Sequence, residues 1–171
     1  CMLDLVFQNL TADPSSPRPS RFVSEGTARL RLASKKYTSK FFEKILAVGI
    51  KELRLDKKNM GISVNLVGEG KIRELNKKYR NKDKVTDVLS FPMSEKLEIP
   101  KSNTNAFDLG DIFICLSFAK NQAKSENISI EKELARLTVH GFLHLFGYDH
   151  EKSEKDEKKM FKMESQIFNK I

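Results

Sequence analysis

His140, His144 and His150 are the only histidines among the 171 residues, and they share one stretch, His140-Gly-Phe-Leu-His144-Leu-Phe-Gly147-Tyr-Asp-His150. Two histidines four positions apart on a helix leave the same face one turn apart. Their imidazoles can then share a tetrahedral metal ion at about 2.0–2.1 Å each. Gly147 suits the left-handed position just past a helix end, so the chain can turn back there and present His150 as a third ligand. Three protein nitrogens leave a fourth position free for water, which distinguishes catalytic zinc from closed structural zinc. A single histidine on an amphipathic helix would be ordinary. Three at ligand spacing, with none elsewhere, point to a metal. Imidazole also suits copper, iron and nickel; the open tetrahedral geometry favours one Zn2+ per chain.

The same spacing, with a glycine three residues after the second histidine, occurs in the metzincin proteases. Those enzymes carry a glutamate directly after the first histidine as general base, and this chain has Gly141 there. That argues against a protease of this type. A glycine inside a helix costs roughly 0.5–1 kcal/mol against alanine. Its presence predicts a close approach of substrate, or of another backbone, to the metal.

The elements that must position these residues follow from periodicity. Residues 39–53 read as an amphipathic helix with Phe42, Ile45, Leu46, Gly49 and Ile50 along one side. Residues 61–67 alternate as a half-buried strand does. A helix through Ile72, Leu75 and Tyr79 follows, then a short strand at 87–91 closed by Pro92. Residues 93–108 are polar and irregular, a surface loop, and 109–116 form another strand. Residues 117–126 can form a helix. Ser129 is suited to cap the next, which runs to about Phe146 with Glu131 and Glu133 at its positive end. Ser153 can cap a last helix with an apolar stripe of Met160, Met163, Ile167 and Phe168. The first strand has two candidates, residues 3–7 and 28–32, and alternation favours the second. We therefore expect an α+β fold: a single small domain over residues 26–171, with helices packed on a mixed sheet of about four strands. Residues 1–25, with the Pro/Ser-rich run 14–20, read as a poorly defined N-terminal extension.

Apolar residues make up 39% and charged residues 32%, the balance of a soluble globular protein. No apolar run approaches the ~20 residues of a membrane span, and no basic segment leads into a long apolar one, so neither a membrane segment nor a signal peptide is expected. Cys1 and Cys115 are far apart, and Cys115 sits in an apolar run, as a buried free thiol in a reducing cytosol would. The net charge of +8 is uneven: residues 1–90 hold 19 Lys and Arg against 10 Asp and Glu, while the remainder is close to neutral. The excess is densest over 71–84, with seven basic and two acidic side chains. Such a zone attracts polyanions, nucleic acid above all, although a solvated Lys-rich face has the same composition.

Three segments then agree in order and spacing with one family. His140–His150 (HGFLHLFGYDH), Tyr79–Pro92 (YRNKDKVTDVLSFP) and Leu109–Cys115 (LGDIFIC) resemble the signatures of YbeY, bacterial endoribonucleases that mature ribosomal RNA. The resemblance covers roughly Phe41 to the C-terminus and fits poorly over residues 1–35. It implies a small α+β domain with zinc in a cleft beside a mixed sheet, held by His140, His144 and His150. It implies that Arg80, the arginine of a Tyr-Arg-x-Lys-Asp segment, takes part in RNA cleavage. It also implies single-stranded RNA as substrate, including the 3′ end of small-subunit ribosomal RNA, and the small ribosomal subunit as partner, in the cytoplasm.

Zinc in such a site can polarise a phosphate oxygen or lower the pKa of its water to ~7. Arg80 can bind phosphate bidentately, with Lys77, Lys78, Lys82 and Lys84 tracking the RNA backbone. No carboxylate base is obvious. Asp149 can orient a ligand histidine or stabilise its loop, and Thr86 and Asp87 can fix the loop after Arg80. Asp111, acidic within an apolar strand, implies a buried hydrogen-bonded role, and Tyr148 a packing one. Two alternatives remain at this stage: a metal-dependent hydrolase of another substrate, and a ribosome-assembly module whose metal is structural.

Overall fold

The computed structural model describes residues 4–9 (as backbone), 37–55, 60–93 and 107–171. Its elements run β1 (Asp4–Asn9), α1 (Ser39–Glu52), β2 (Met60–Val67), α2 (Glu69–Arg80), β3 (Val88–Pro92), β4 (Phe107–Cys115), α3 (Leu116–Ser125), α4 (Ile130–Leu145) and α5 (Glu154–Phe168). The strands form one mixed sheet in the order β1-β2-β4-β3. β1, β2 and β4 are parallel, and β3 returns antiparallel along β4, with Leu89 opposite Phe113 and Phe91 opposite Asp111. The expected α+β class is the one observed. β1 falls in the first of the two candidate segments, within the stretch read as an extension. The second, 28–32, lies outside the described residues, as do Cys1 and most of the polar loop, 94–106.

Side-chain alternation splits the core by sheet face. Ile62, Val64 and Leu66 of β2 join Leu109, Ile112 and Ile114 of β4 beneath α1, α4 and α5. On the opposite face Val67, Leu89 and Cys115 meet Ile72 and Leu75 of α2 in a smaller cluster. Cys115 is a buried free thiol. Asp111 is half-buried in β4, in register with Ser63 of β2 and Phe91 of β3.

α4 is the hub, touching α1, α3, α5, β3 and β4. Its start is fixed locally, because Ser129 Oγ accepts the Lys132 N–H at 3.1 Å, satisfying a donor with no partner inside the helix. Ser153 caps α5 in the same way through the Asp156 N–H. Gly49 admits α4 closely against α1, since a Cβ there would stand 2.6 Å from Phe142 Cε1. Between Glu133 and Leu145 every position of α4 is buried except Arg136, His140 and His144. Those three are spaced by four, so they form one open strip on a helix otherwise sealed in the core.

Candidate metal centre

The strip carries two histidines, and the turn after α4 brings in the third. Phe146 ends the helix and Gly147 takes φ +76°, a left-handed conformation that glycine adopts without a Cβ penalty. The Tyr148 N–H bonds Leu143 O at 3.1 Å and the Gly147 N–H bonds His144 O at 3.0 Å. This paired pattern reverses the chain at a helix C-terminus. The reversal lays His150 back against α4, with ring centroids 5.2 Å from His140 and 5.3 Å from His144.

One nitrogen from each of the three rings lies within 4.8 Å of the others, and Nε2 of His140 and Nε2 of His144 are 3.0 Å apart. A tetrahedron with 2.0–2.1 Å bonds has edges of about 3.3 Å, so this separation suits two ligands of one ion. Nδ1 of His150 is buried without a hydrogen-bond partner, an environment that costs free energy unless something satisfies it. The cluster fits a metal ion. Burial, reinforced by the charges His140 and His150 would carry, lowers the His144 pKa from its ordinary 6.5 to about 4. His144 is therefore neutral at pH 7, as metal ligation requires.

A residue that the sequence did not single out completes the arrangement. Glu164 of α5 reaches His140 Nδ1, Oε1 to Nδ1 2.6 Å, and both side chains are only 19% exposed. A carboxylate can only accept, so Nδ1 carries the hydrogen and the Nε2 lone pair faces the other histidines. Glu164 sits four residues after Met160 and three before Ile167, on the buried stripe of α5. An acidic residue on that stripe was the available signal. Arg136, the third member of the open strip, is tied to the buried Glu133 by two hydrogen bonds of 2.9 and 2.6 Å. That pairing, first of all, raises its pKa, and the charges of Asp87 and Glu164 add to it.

Asp149 and Asp87, both picked out from the sequence, make local hydrogen bonds. Asp149 Oδ1 accepts the Glu151 N–H at 2.9 Å, which is the first cause of its lowered pKa, and so braces the turn that carries His150. Asp87 Oδ1 accepts from Thr86 Oγ1 and from the Val88 N–H at the start of β3. Its Oδ2 lies 3.4 Å from Gln122 Nε2 of α3. Tyr148 packs against the main core with Lys159 5.0 Å from its ring.

Arg80 is the last residue of α2 and is exposed. Asn81 takes φ 56° to end the helix. The buried Asn76 then pins the following loop through its side chain to Lys84 O at 2.8 Å and its carbonyl to the Lys82 N–H. Burial first, then the His140 and His150 charges, lower the His144 pKa, and the Arg80 charge adds a smaller contribution in the same direction. Lys77 is paired with Asp83 at 2.8 Å, beside Arg73 at 2.7 Å, and these bonds, that to Lys77 first, lower the Asp83 pKa. Lys78 lies 5.1 Å from the Tyr79 ring, and Lys82 and Lys84 are exposed.

Gly141 serves another purpose than the one expected from its helical cost. A Cβ there would meet Ile112 Cγ2 at 2.8 Å and Ser90 Oγ at 2.9 Å, and Ser90 donates to Gly141 O at 3.0 Å. The close approach is that of sheet side chains on β3 and β4 to the buried side of α4. It is not an approach to the metal. By seating α4 on the sheet, Gly141 sets the height at which His140 and His144 emerge.

Fold and site together define a small α+β protein with an open three-histidine cluster that fits a metal ion. Comparison with known sequences agrees. The family model described as Endoribonuclease YbeY matches residues 24–171. The chain is 44% identical over 138 residues to "Endoribonuclease YbeY" of Sulfurihydrogenibium sp. (strain YO3AOP1), covering 81% of this chain and 86% of that protein. It is 41% identical over 142 residues to the protein of that name from Aquifex aeolicus (strain VF5), covering 83% and 89%. Among solved structures it is similar to the solution structure of TM1509 from Thermotoga maritima, with TM-score 0.51 and 28% identity over 95% of this chain and 87% of that one. The chain belongs to the YbeY endoribonuclease family.

Proposed function

We propose that this enzyme is a zinc-dependent endoribonuclease that cuts single-stranded RNA in the maturation of small-subunit ribosomal RNA, its 3′ end included. Its place of work on this reading is the cytoplasm, at the small ribosomal subunit. The observation that carries the reading is the meeting of three histidine nitrogens within 4.8 Å in a chain of the YbeY endoribonuclease family. Among the described residues no helix is long and apolar enough to cross a membrane.

Bound by His140, His144 and His150, zinc would supply Lewis-acid polarisation of a phosphate oxygen. The rest falls to the chain's own groups. Arg80, permanently protonated and planar, grips the phosphate through paired N–H donors and offsets the negative charge that grows in the transition state. Glu164 keeps His140 in the tautomer that points Nε2 inward. The turn at Gly147 holds His150 in place. Lys82 and Lys84 hold neighbouring phosphates, with the salt sensitivity that such contacts bring. Peptide cleavage is disfavoured because Gly141 stands where a zinc protease of this spacing carries its glutamate base.

The test is to incubate the purified protein with labelled single-stranded RNA, duplex RNA and casein, before and after chelation and zinc repletion. Cleavage of the single strand that is lost on chelation and restored by zinc is the expected result. Casein cleavage that vanishes in His144→Ala, with RNA left intact, would sink the nuclease reading. Mapping the product ends separates attack by the 2′-hydroxyl, which leaves a 2′,3′-cyclic phosphate, from attack by water.

A further inference from the structure

α2 buries Ile72, Leu75 and Asn76, and the next position of that stripe, four residues after Leu75, is Tyr79. Its ring is not in the core: Tyr79 is 52% exposed, one of few large apolar side chains so placed among the described residues. One side of the ring leans on Phe91 of β3, centroids 5.0 Å apart and tilted by 59°. Phe91 in turn stands edge-on to Phe113 of β4 at 5.7 Å. The tyrosine is thus backed by a short aromatic column rooted in the sheet, while more than half of it meets water. A ring held this way loses little freedom when something flat stacks on it.

Its neighbours define what that would be. Arg80 is the next residue, the exposed last residue of α2. Lys78, 5.1 Å from the ring centroid, is an exposed lysine on a flexible stem, able to turn from the ring to a phosphate. Lys82 and Lys84 follow on the same exposed loop. A flat apolar surface with a lysine at its ring, in a run of basic residues, matches a nucleobase flanked by phosphates. It matches a peptide or lipid surface less well, because neither repeats an aromatic plane between anions.

We propose that Tyr79 is a stacking platform for one base of the RNA strand, beside the phosphate held by Arg80. The proposal rests on the RNA-cleaving reading above and deepens it. Bases inside a duplex are already stacked on both faces and cannot lie on a side chain, whereas unpaired bases can. The platform is therefore a source of preference for single strands that needs no sequence readout.

The chain has no tryptophan, so Tyr79→Trp places a unique fluorophore at the platform. The zinc-loaded protein is titrated with a short 2′-O-methyl single strand, checked by gel to stay intact, and with an abasic strand of equal length and charge. We expect the base-bearing strand to quench the tryptophan emission of this variant and the abasic strand not to. Tyr79→Ala should weaken binding of the base-bearing strand roughly tenfold, Tyr79→Phe by less than about twofold, with both variants melting near the parent. Should the alanine variant lose its fold, Tyr79→Leu gives the same comparison with an apolar side chain. Binding by the alanine or leucine variant as tight as the parent's, or equal quenching by the abasic strand, would overturn the platform and leave Tyr79 as packing. Failure of the parent itself to bind any strand would overturn the RNA reading and the platform together, which distinguishes the two failures.

Discussion

His140 and His144 project from a helix whose neighbouring positions are sealed in the core, whereas Arg80 ends a helix that faces water along most of its length. The histidine side is held by tertiary structure: Gly141 pressed on the sheet, the reversal at Gly147, and Glu164 reaching across from another helix. The arginine side is held by a local loop and by surface ion pairs of Asp83 with Arg73 and Lys77, which contribute little in water. The difference suits the tasks that the proposed function gives the two sides. Metal ligands must keep their geometry to a fraction of an ångström before substrate arrives. A cation that grips a moving polyanion gains from a long, solvated stem.

Removing a ligand should have the largest effect. His144→Ala should lose bound metal, read by elemental analysis, and lower RNA cleavage by about a thousandfold or more. A variant that keeps a full equivalent of metal would contradict the assignment of the histidine side. Arg80→Ala should lower cleavage by roughly 10²–10³-fold, the range for deleting one donor to transition-state charge, while metal content and melting temperature stay at parent values. Loss of metal in this variant would mean that the two sides are not separable. Arg80→Lys should recover only part of the rate, since an ammonium has no bidentate fork.

Effects on the frame should be smaller. Glu164→Leu should weaken metal binding by roughly 10–100-fold in a competition assay, and Glu164→Gln less, because its amide oxygen can still accept from Nδ1. Gly141→Ala sets a gain of about 1 kcal/mol in helix propensity against about 1–3 kcal/mol of overpacking on Ile112 and Ser90. A net loss of up to about 2 kcal/mol in denaturant melts is expected, and a gain would mean that α4 has room there.

A further effect concerns pH. The folded chain holds His144 neutral down to about pH 4, whereas the unfolded chain takes up that proton near 6.5. Metal-free protein should therefore lose stability as pH falls from 6.5 toward 4. His144→Gln should flatten that part of the curve.

The same contrast explains what could be read from the sequence. The histidine spacing, the Ser129 and Ser153 caps and the Gly147 turn are short-range features, and each is written in residues at most a few positions apart. The apolar stripes of α1 and β2 likewise announce their buried faces. Glu164 acts on a residue 24 positions away, through a docking angle between α4 and α5 that no local pattern encodes. Gly141 announced a close approach, but only the packed sheet reveals that Ile112 and Ser90 make it. Tyr79 falls on the apolar period of α2, yet the helix ends one residue later and the ring stays half-exposed against Phe91. β1 depends on parallel pairing with residues more than fifty positions on, and alternation alone pointed elsewhere.

The bond between Glu164 and His140 has one more consequence, for the order in which a chain is made. Synthesis delivers His140, His144 and His150 first, and their brace only after most of the final helix has emerged. A nascent chain therefore owns the donors before it owns the means to aim them. The donors are fully aimed only once α5 has docked on α4 and brought Glu164 to His140.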